Sequence, residues 1–515
     1  MEKEDEKTSQ VSDQSRRDFL KFGSATAAVA TVGASMGAGF IAGRDPDANV
    51  GWGRTEAGKD QFFDRKPFEV DVAPTLELVG KAERPAWGDW LFNRRGVLKE
   101  LIADGFDITN SNWTDIPEPK TRAYYEKYPD RWPKMQGAIM QMAAHADNTR
   151  PQFDRYALAW AYDRSFLTAL ATSQFPPRPQ GHPDVEDFKL IGNVADKQVE
   201  FQSPAHASKL IKQMAYKYGM SLCTIAKFDE RFMVKNMMRG MPGGSQDWDE
   251  SVPKHWKNVI IFGVPMNWDP MYAAAGYSTS FDAYWRCQQA TGLMAAFLGQ
   301  LGYAARPQWP GNDYEIMVPP LAAASGMGEI GRGGTLITPE VGTNIRLAAV
   351  ITNLDLEADK PIDIGVKHFC EECKICADTC PSGSISSADK PDVVSRGFRK
   401  YDFNQDSCYE FWNTASTADG LGCRICVAVC PYTRKNNWMH VLVKEADPRD
   451  PTGLTRKALL AMQHNFFYYP DAQDFHPEWT GGKFAGYHQP PEWLRSENYL
   501  KVKKTWEYDG NWEGI

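Results

Sequence analysis

The sequence has no surplus of positive charge and no cluster of histidines. Its 58 Lys and Arg residues are outnumbered by 66 Asp and Glu residues, which gives a net charge of −8. An acidic chain lacks the basic surface that binds a nucleic-acid backbone, so no nucleic-acid partner is expected. The nine histidines are scattered and suggest no metal site.

Long apolar runs are also scarce after the N-terminus. Cys287–Ala305 is uncharged but contains three glutamines, so it predicts a buried helix rather than a membrane span. At 515 residues, the chain is long enough for two or three domains with a large core.

The first 43 residues have the features of an export signal. Residues 15–21 read Ser-Arg-Arg-Asp-Phe-Leu-Lys, and residues 22–43 are uncharged and mostly Ala, Gly, Thr and Ser. This pattern predicts a twin-arginine signal, whose weakly apolar run is a poor membrane span. An N-terminal anchor is the alternative, because the length alone would allow it. The twin-arginine route carries folded proteins, which suits a chain that must receive its cofactors before export.

Eight of the ten cysteines lie between residues 370 and 430. The first four have the spacing C-x2-C-x2-C-x3-C-P, which is that of a ferredoxin cubane site, and the last cysteine of such a motif binds the other cluster in two-cluster proteins. The spacing therefore predicts two [4Fe–4S] clusters with exchanged ligands. One set is Cys370, Cys373, Cys376 and Cys430, and the other is Cys380, Cys408, Cys423 and Cys426.

Zinc and disulfides are the alternatives for these cysteines. A structural zinc site uses paired C-x2-C motifs but does not require the x3-C-P ending. Cysteines this close in sequence are also poor disulfide partners. The second motif departs from ideal spacing, because fourteen residues separate Cys408 from Cys423. Cys223 and Cys287 are expected to be buried as small apolar residues.

The rest of the chain predicts a mixed helix and strand domain flanked by irregular segments. Residues 44–130, rich in Pro, Gly and Trp, predict an irregular wrapping segment. Residues 131–365 predict a regular domain, 366–440 a ferredoxin-like domain for the two clusters, and 441–515 a C-terminal wrapping segment.

Three elements of the regular domain can be placed from sequence. Ala205–Tyr218 has helical spacing behind Ser203-Pro204, while Val259–Val264 and Arg346–Ile351 are candidate strands. Alternating helices and strands favour an α/β or α+β fold.

A further helix follows Ser278-Thr279-Ser280, which can cap it. Its expected apolar stripe is Ala290, Leu293, Met294, Phe297 and Leu301.

The sequence Gly326-Met-Gly328-Glu-Ile-Gly331 matches G-x-G-x-x-G but does not predict a Rossmann site. No strand precedes it, and the strand-like Thr335–Thr338 follows instead of a helix. A glycine-rich loop that lets the backbone approach another large cofactor is the functional interpretation, and a tight turn is the plain one.

The twin-arginine leader, the regular domain and the double cysteine motif together resemble the respiratory reductive dehalogenases. The resemblance is densest from Val259 to Pro431 and includes residues 328–340, Asn344–Leu347 and residues 360–365. It implies a nitroreductase-like domain that binds a base-off corrinoid without a histidine ligand to cobalt. Accordingly, His476 stands in a sequence that lacks the glycine of the D-x-H-x-x-G cobalt-ligand motif.

The resemblance also implies site residues. Tyr284 matches the catalytic tyrosine that donates a proton, and Arg346 matches the arginine that steadies it, because an ordinary phenol with a pKa of about 10 needs positive charge beside its phenolate. The family's asparagine aligns at Pro310, with Asn312 two residues on. Implied corrinoid contacts are Ser280, Gly326, Gly328 and Gly331, and candidate pocket walls are Trp285, Trp309 and Tyr314.

The implied activity is two-electron reductive cleavage of a carbon–halogen bond at Co(I), fed through the two clusters, in organohalide respiration. The implied partners are an organohalide, a small membrane-integral anchor protein and an electron-donating respiratory chain, and the implied location is the outer face of the cytoplasmic membrane, as a peripheral protein. An epoxyqueuosine-reductase-like enzyme and a non-catalytic exported electron-transfer protein are the alternatives.

Overall fold

The structure is a computed structural model that describes residues 65–144, 165–166, 169, 194–234, 238–239, 246–247, 256–267, 280–308, 314–414, 423–433 and 446–466. The helices within these ranges are α1 (Leu91–Ala103), α2 (Pro119–Lys127), α3 (Trp132–Ala144), α4 (Pro204–Lys217), α5 (Phe281–Gln300), α6 (Val318–Ala324), α7 (Val366–Glu372), α8 (Ile375–Asp378), α9 (Gln405–Thr414), α10 (Ile425–Ala428) and α11 (Leu454–Phe466). The strands are β1 (Leu222–Lys227), β2 (Met238–Arg239), β3 (Gln246–Asp247), β4 (Asn258–Val264), β5 (Ala305–Gln308), β6 (Glu329–Ile330), β7 (Leu336–Ile337), β8 (Arg346–Thr352), β9 (Val393–Ser395) and β10 (Phe398–Lys400).

A four-stranded sheet in the order β1-β4-β8-β5 forms the centre of the fold. Every neighbouring pair in it is antiparallel, with Ile225 opposite Ile260 and Val259 opposite Ile351. All seven residues of β4 are buried, because this strand lies between β1 and β8 and contacts helices α5 and α6. The two predicted strands are confirmed. The antiparallel sheet makes the mixed fold α+β, since the parallel crossovers of an α/β fold are not formed in it.

Two predicted helices lie on this sheet. Helix α4 begins as expected, with Pro204 at its first position and the Ser203 hydroxyl accepting the His206 N–H at 3.3 Å. Helix α5 buries one face through Ala283, Cys287, Ala290, Met294 and Leu298. The expected stripe is wrong at Leu293, which is 41% exposed. Leu293 directly precedes Met294 of the buried face, and successive helical side chains point about 100° apart, so Leu293 is turned towards solvent.

The prediction of an irregular segment at 44–130 is wrong for part of its length, because α1 and α2 lie within it. Helices α1, α2 and α3 form a second apolar core that includes Tyr409 of α9. Low local helix propensity is overridden here by tertiary packing, and Pro119 is tolerated because it stands in the first turn of α2.

A buried ion pair joins this helical unit to α9. The Arg94 guanidinium donates to the Asp406 carboxylate at 2.9 Å, and both side chains are fully buried. Tyr124 and Tyr125 donate to the same carboxylate at 3.1 and 3.2 Å. Because α9 also carries Cys408, this network fixes the position of one of the predicted cluster ligands.

Replacing Arg94 should therefore be strongly destabilising. Arg94→Met leaves the Asp406 charge buried without its partner, and we expect a loss of about 3–5 kcal/mol in the free energy of unfolding. Chemical unfolding followed by circular dichroism measures it. The control is Lys134→Met, which breaks an exposed pair with Glu410 and should cost no more than about 1 kcal/mol. Equal losses for the two variants would contradict the assigned role of Arg94.

Candidate functional site

The eight cysteines of the double motif are carried by four short helices and their flanks. Cys370 lies in α7 and Cys376 in α8, while Cys373 and Cys380 stand in the turns that follow these helices. Cys408 lies in α9 and Cys426 in α10, with Cys423 and Cys430 flanking α10. Helices α8 and α10 pack against each other, so the two motifs meet.

The first group of thiols is Cys370, Cys373, Cys376 and Cys430. The first three lie within ten residues of one another, and negative charge on distant Cys430 raises the pKa of each. Burial is the largest cause of these shifts and raises the pKa of the Cys370 thiol to about 12. Cys430 therefore lies with the three cysteines of the first motif.

The second group is Cys380, Cys408, Cys423 and Cys426. Burial raises the pKa of Cys408, Cys423 and Cys426, and charge on Cys380 raises each further. Cys380 thus faces the second motif although it ends the first. These interactions group the cysteines as the spacing predicts, although Cys426 also raises the pKa of Cys376, and the two ligand sets stay a prediction.

Backbone amides face sulfur atoms in the second group. The Ser384 N–H donates to Cys380 Sγ at 3.3 Å, and the Ile425 N–H donates to Cys423 Sγ at 3.5 Å. Such bonds stabilise negative sulfur, so eight gathered sulfurs with amide donors fit two thiolate-bound clusters. Within the described ranges, no three His, Cys, Asp or Glu side chains are arranged around a single-ion position.

Tyr284 and Arg346 come together at the start of α5 and of β8. The Arg346 guanidinium carbon lies 5.3 Å from the centre of the Tyr284 ring. Arg346 Nη2 donates to the hydroxyl of buried Ser280 at 2.7 Å. Ser280 occupies the N-cap position of α5, but its side chain makes no capping bond. The expected cap is wrong in this respect, because the hydroxyl accepts from guanidinium groups instead.

Arg424 is a site residue that the sequence analysis missed. Its Nε and Nη2 donate to Ser280 Oγ at 2.9 and 2.6 Å, and its Nη1 donates to the Cys423 carbonyl at 2.7 Å. Burial lowers the pKa of Arg424 to about 10, and repulsion by Arg346 contributes. Neither guanidinium has a carboxylate partner in the part of the chain that the structure describes. The position of Arg424 between two cluster cysteines is the signal that could have identified it.

The structure describes two of the three candidate pocket walls, Tyr314 and Trp285. Tyr314 donates to the Leu347 carbonyl at 2.7 Å, and burial raises its pKa, with a further contribution from Tyr284. The Trp285 ring lies 6.1 Å from that of Phe166. Asn312 and Trp309 lie outside the described residues, as does His476.

The glycine-rich loop connects α6 to the hairpin of β6 and β7, which agrees with the rejection of a Rossmann site. A side chain at Gly326 would meet the Lys360 carbonyl, and Gly326 also has a φ of +72°. A side chain at Gly328 would meet the Ile337 carbonyl, and one at Gly331 would meet the Ile337 side chain. Close packing within the protein therefore explains all three glycines, and their role as corrinoid contacts stays a prediction.

Glu329, in the same loop, is a buried acid. Its Oε2 accepts the N–H groups of Ile364 and Val366 at 2.7 and 3.3 Å, while its Oε1 has no partner. Burial raises the pKa of Glu329 to about 8, and repulsion by Asp363 adds to the shift.

Two family models match the chain. A 4Fe-4S double cluster binding domain matches residues 369–433, which contain all eight cysteines, and a twin-arginine translocation pathway signal matches residues 13–33. The first match assigns two 4Fe-4S clusters to this segment. The second indicates export by the twin-arginine pathway.

Reductive dehalogenases are among the curated proteins that the chain matches. The tetrachloroethene reductive dehalogenase of Desulfitobacterium hafniense strain Y51 is 30% identical over 307 residues, which cover 51% of this chain and 54% of the relative. That of Sulfurospirillum multivorans is 35% identical over 198 residues, covering 37% and 38%. The chain is related to the reductive dehalogenases. It spans about half the length of the curated relatives it matches.

The fold is similar to that of a solved reductive dehalogenase. That structure, reported as suggesting a mechanism for B12-dependent dehalogenation, superposes with a TM-score of 0.56 at 19% identity. The match covers 79% of this chain and 49% of the other. Among the helices that the structure describes, none combines the length and apolarity needed to cross a membrane.

Proposed function

We propose that this chain is the catalytic subunit of a corrinoid-dependent reductive dehalogenase, which converts an organohalide, two electrons and a proton into R–H and halide. The observation that carries the proposal is a series of contacts. Arg346 faces the Tyr284 ring and donates to Ser280, which also accepts from Arg424, a residue flanked by cluster cysteines. The proposed proton donor is thus connected to the cluster segment through side-chain contacts. The 30% identity to tetrachloroethene reductive dehalogenases supports this assignment.

In this proposal the two thiol groups hold the two [4Fe–4S] clusters. Cys370, Cys373, Cys376 and Cys430 hold the first, and Cys380, Cys408, Cys423 and Cys426 hold the second. Two observations support neighbouring clusters. Helices α8 and α10 pack against each other, and charge on Cys426 raises the pKa of Cys376 in the other group. Short separation favours electron transfer between them.

A corrinoid fits the residues between α5 and β8. Three buried polar atoms there lack a protein partner: Asn344 Oδ1, Arg346 Nε and Gln288 Oε1. The Asn344 side-chain amide donates to the Met266 carbonyl, and the Ser280 hydroxyl donates to Met266 Sδ. Asn344 and Ser280 therefore lie close together, next to Met266. A corrinoid edge carries amides that would pair with such atoms, and unpaired buried polar atoms are costly without a ligand. The nitroreductase-like description of residues 131–365 is part of this proposal.

A bound corrinoid would supply reduced cobalt for cleavage of the carbon–halogen bond, and the two clusters would supply its electrons. The residues of the chain handle the proton. The Tyr284 hydroxyl donates it to carbon, and Arg346 faces the ring on which negative charge then develops. Ser280 holds Arg346 and Arg424 beside each other, so two cations stabilise one phenolate.

Asn312, Trp285, Trp309 and Tyr314 complete the proposed substrate pocket, and Gly326, Gly328 and Gly331 the proposed corrinoid surround. We further propose that the exported protein acts in organohalide respiration at the outer face of the cytoplasmic membrane. There a small membrane-integral anchor protein would hold it, and a respiratory chain would supply its electrons.

The two alternatives lack corresponding support. An epoxyqueuosine-reductase-like enzyme acts on tRNA in the cytoplasm, whereas this chain is acidic and matches an export signal. A tyrosine rather than an aspartate also occupies the proposed donor position. A non-catalytic electron-transfer protein would leave the contacts of Arg346 with Tyr284 and of Ser280 with Arg346 and Arg424 without a role.

The test is a dehalogenation assay on protein that has received its cofactors in the cytoplasm. Iron, cobalt and corrinoid are measured first, and chlorinated and brominated ethenes and phenols are then supplied with a low-potential reduced dye. Halide release that requires both the protein and the corrinoid supports the proposal. Full iron content without any bound corrinoid would favour the electron-transfer alternative.

A further inference from the structure

Arg332 is a buried cation beside the first group of cysteines. It stands in the glycine-rich loop between β6 and β7 and is 1% exposed. A tight turn, in which the Gly334 N–H donates to the Gly331 carbonyl at 3.0 Å, directs the chain around it. Its guanidinium lies 4.1 Å from the centre of the Tyr401 ring.

Every hydrogen bond of this guanidinium goes to a backbone carbonyl. Its Nη2 donates to the Cys370 carbonyl, and its Nε donates to the Cys373 carbonyl at 3.2 Å. Its Nη1 donates to the carbonyls of Ser386 and Ala388 at 2.8 and 2.6 Å. The Arg332 side chain therefore bridges the segment of Cys370 and Cys373 and the segment of Ser386 and Ala388.

The charge of Arg332 has no carboxylate partner among the described residues. The pKa of Asp389 is lowered by its hydrogen bond to Lys374 and also by the charge of Arg332. However, this carboxylate is 86% exposed and is already paired with Lys374 at 2.5 Å. Burying an unpaired cation costs several kcal/mol, so the folded chain requires another source of negative charge nearby. Cys370 and Cys373 provide such a source when their sulfurs bind a cluster, because Arg332 donates hydrogen bonds to the backbone carbonyls of both residues.

We propose that Arg332 is the counter-charge of the first cluster and sets its reduction potential. This inference rests on the proposed function only in that the first cysteine group holds a [4Fe–4S] cluster. Such a cluster with its thiolates is anionic and becomes more so on reduction, and net charge and hydrogen bonding set its potential. A fixed cation in a dry site stabilises the reduced form most and so raises the potential. Arg332 is thus a positioning residue that favours electron transfer from the second cluster to the first.

The experiment compares three variants of the matured full chain by redox titration monitored by electron paramagnetic resonance. Arg332→Gln removes the charge, and Arg332→Lys keeps it. Lys374→Gln is the matched control, because it removes an equal charge next to Cys373 that is one-third exposed and screened by water. The signal that Cys376→Ser abolishes identifies the first cluster.

We expect Arg332→Gln to lower the potential of the first cluster and leave that of the second unchanged. Arg332→Lys should shift it less, and Lys374→Gln should leave it near the wild-type value. An Arg332→Gln variant with full iron and an unchanged first-cluster potential would overturn the proposal. If Arg332→Gln loses the first cluster, the Arg332→Lys variant provides the test. Restored iron with a first-cluster potential near the wild-type value supports the role of the charge. Restored iron with a strongly lowered potential contradicts it.

The titration contains no organohalide, so its result is independent of dehalogenation. Failure of the proposed function would appear as absent halide release with normal cluster potentials. Failure of the Arg332 proposal would appear as unchanged potentials in a protein that still dehalogenates.

Discussion

Tyr284→Phe should lower the dehalogenation rate by about 10²–10⁴-fold, the usual contribution of a positioned general acid. The change removes only the hydroxyl, and the ring can keep its contacts with Arg346 and with Phe281. Iron, cobalt and folding should therefore match the wild type. The loss should appear in kcat, because the proton is transferred in the transition state rather than in substrate binding.

The matched control is Tyr303→Phe. The Tyr303 hydroxyl donates to the Val199 carbonyl at 2.6 Å, and Tyr303 stands beyond the C-terminal end of α5, whereas Tyr284 lies in its first turns. We expect turnover near the wild-type level for this variant. Solvent deuterium should slow the wild type and not Tyr284→Phe if Tyr284 is the donor. Normal turnover by Tyr284→Phe would show that another group delivers the proton.

Cys380→Ser should abolish the second cluster and keep the first, although Cys380 ends the first motif. The pKa of each of Cys408, Cys423 and Cys426 is raised by charge on Cys380, so its thiolate faces their group. Loss of one thiolate ligand should remove about half of the bound iron. Turnover should fall to background, because electrons then lack their entry point.

Cys376→Ser is the paired variant and should remove the other cluster. Iron and sulfide analysis gives the stoichiometry, and the two electron paramagnetic resonance signals show which cluster remains. The two variants should thus lose different signals with equal iron loss. Loss of the same signal from both would mean that the cysteines of the first motif bind one cluster together, without the exchange. Full iron content in both variants would contradict both ligand assignments.

Local patterns predicted several elements well. The spacing behind Ser203-Pro204 predicted helix Pro204–Lys217 to within one residue at each end, and two apolar runs predicted the strands Asn258–Val264 and Arg346–Thr352. In these segments the cap, the periodicity and the burial agree, so local and tertiary preferences coincide. Helices Leu91–Ala103 and Pro119–Lys127 were not predicted, because packing with α3 and with Tyr409 of α9, rather than sequence periodicity, stabilises them.

The sequence predicted only some of the site residues, because tertiary contacts determine the others. Tyr284 and Arg346 were proposed from a resemblance, and the structure brings them together across 62 positions of sequence. Arg424 and Arg332 were missed, because each acts through contacts with residues far away in the chain. Leu293 was placed on the buried face, yet it is exposed, because the position of the sheet rather than the helix alone decides which face is covered.

By itself, the sequence determined the cluster chemistry and the export route, because cysteine spacing and the twin-arginine signal are short patterns whose chemistry depends on neighbours in the chain. Only the tertiary structure decided which buried cations accompany each cysteine group. A guanidinium reaches its partners through space, and the cost of burying its charge depends on what the fold places around it. Ser280, a helix-cap residue by sequence, became the shared acceptor of two arginines for this reason.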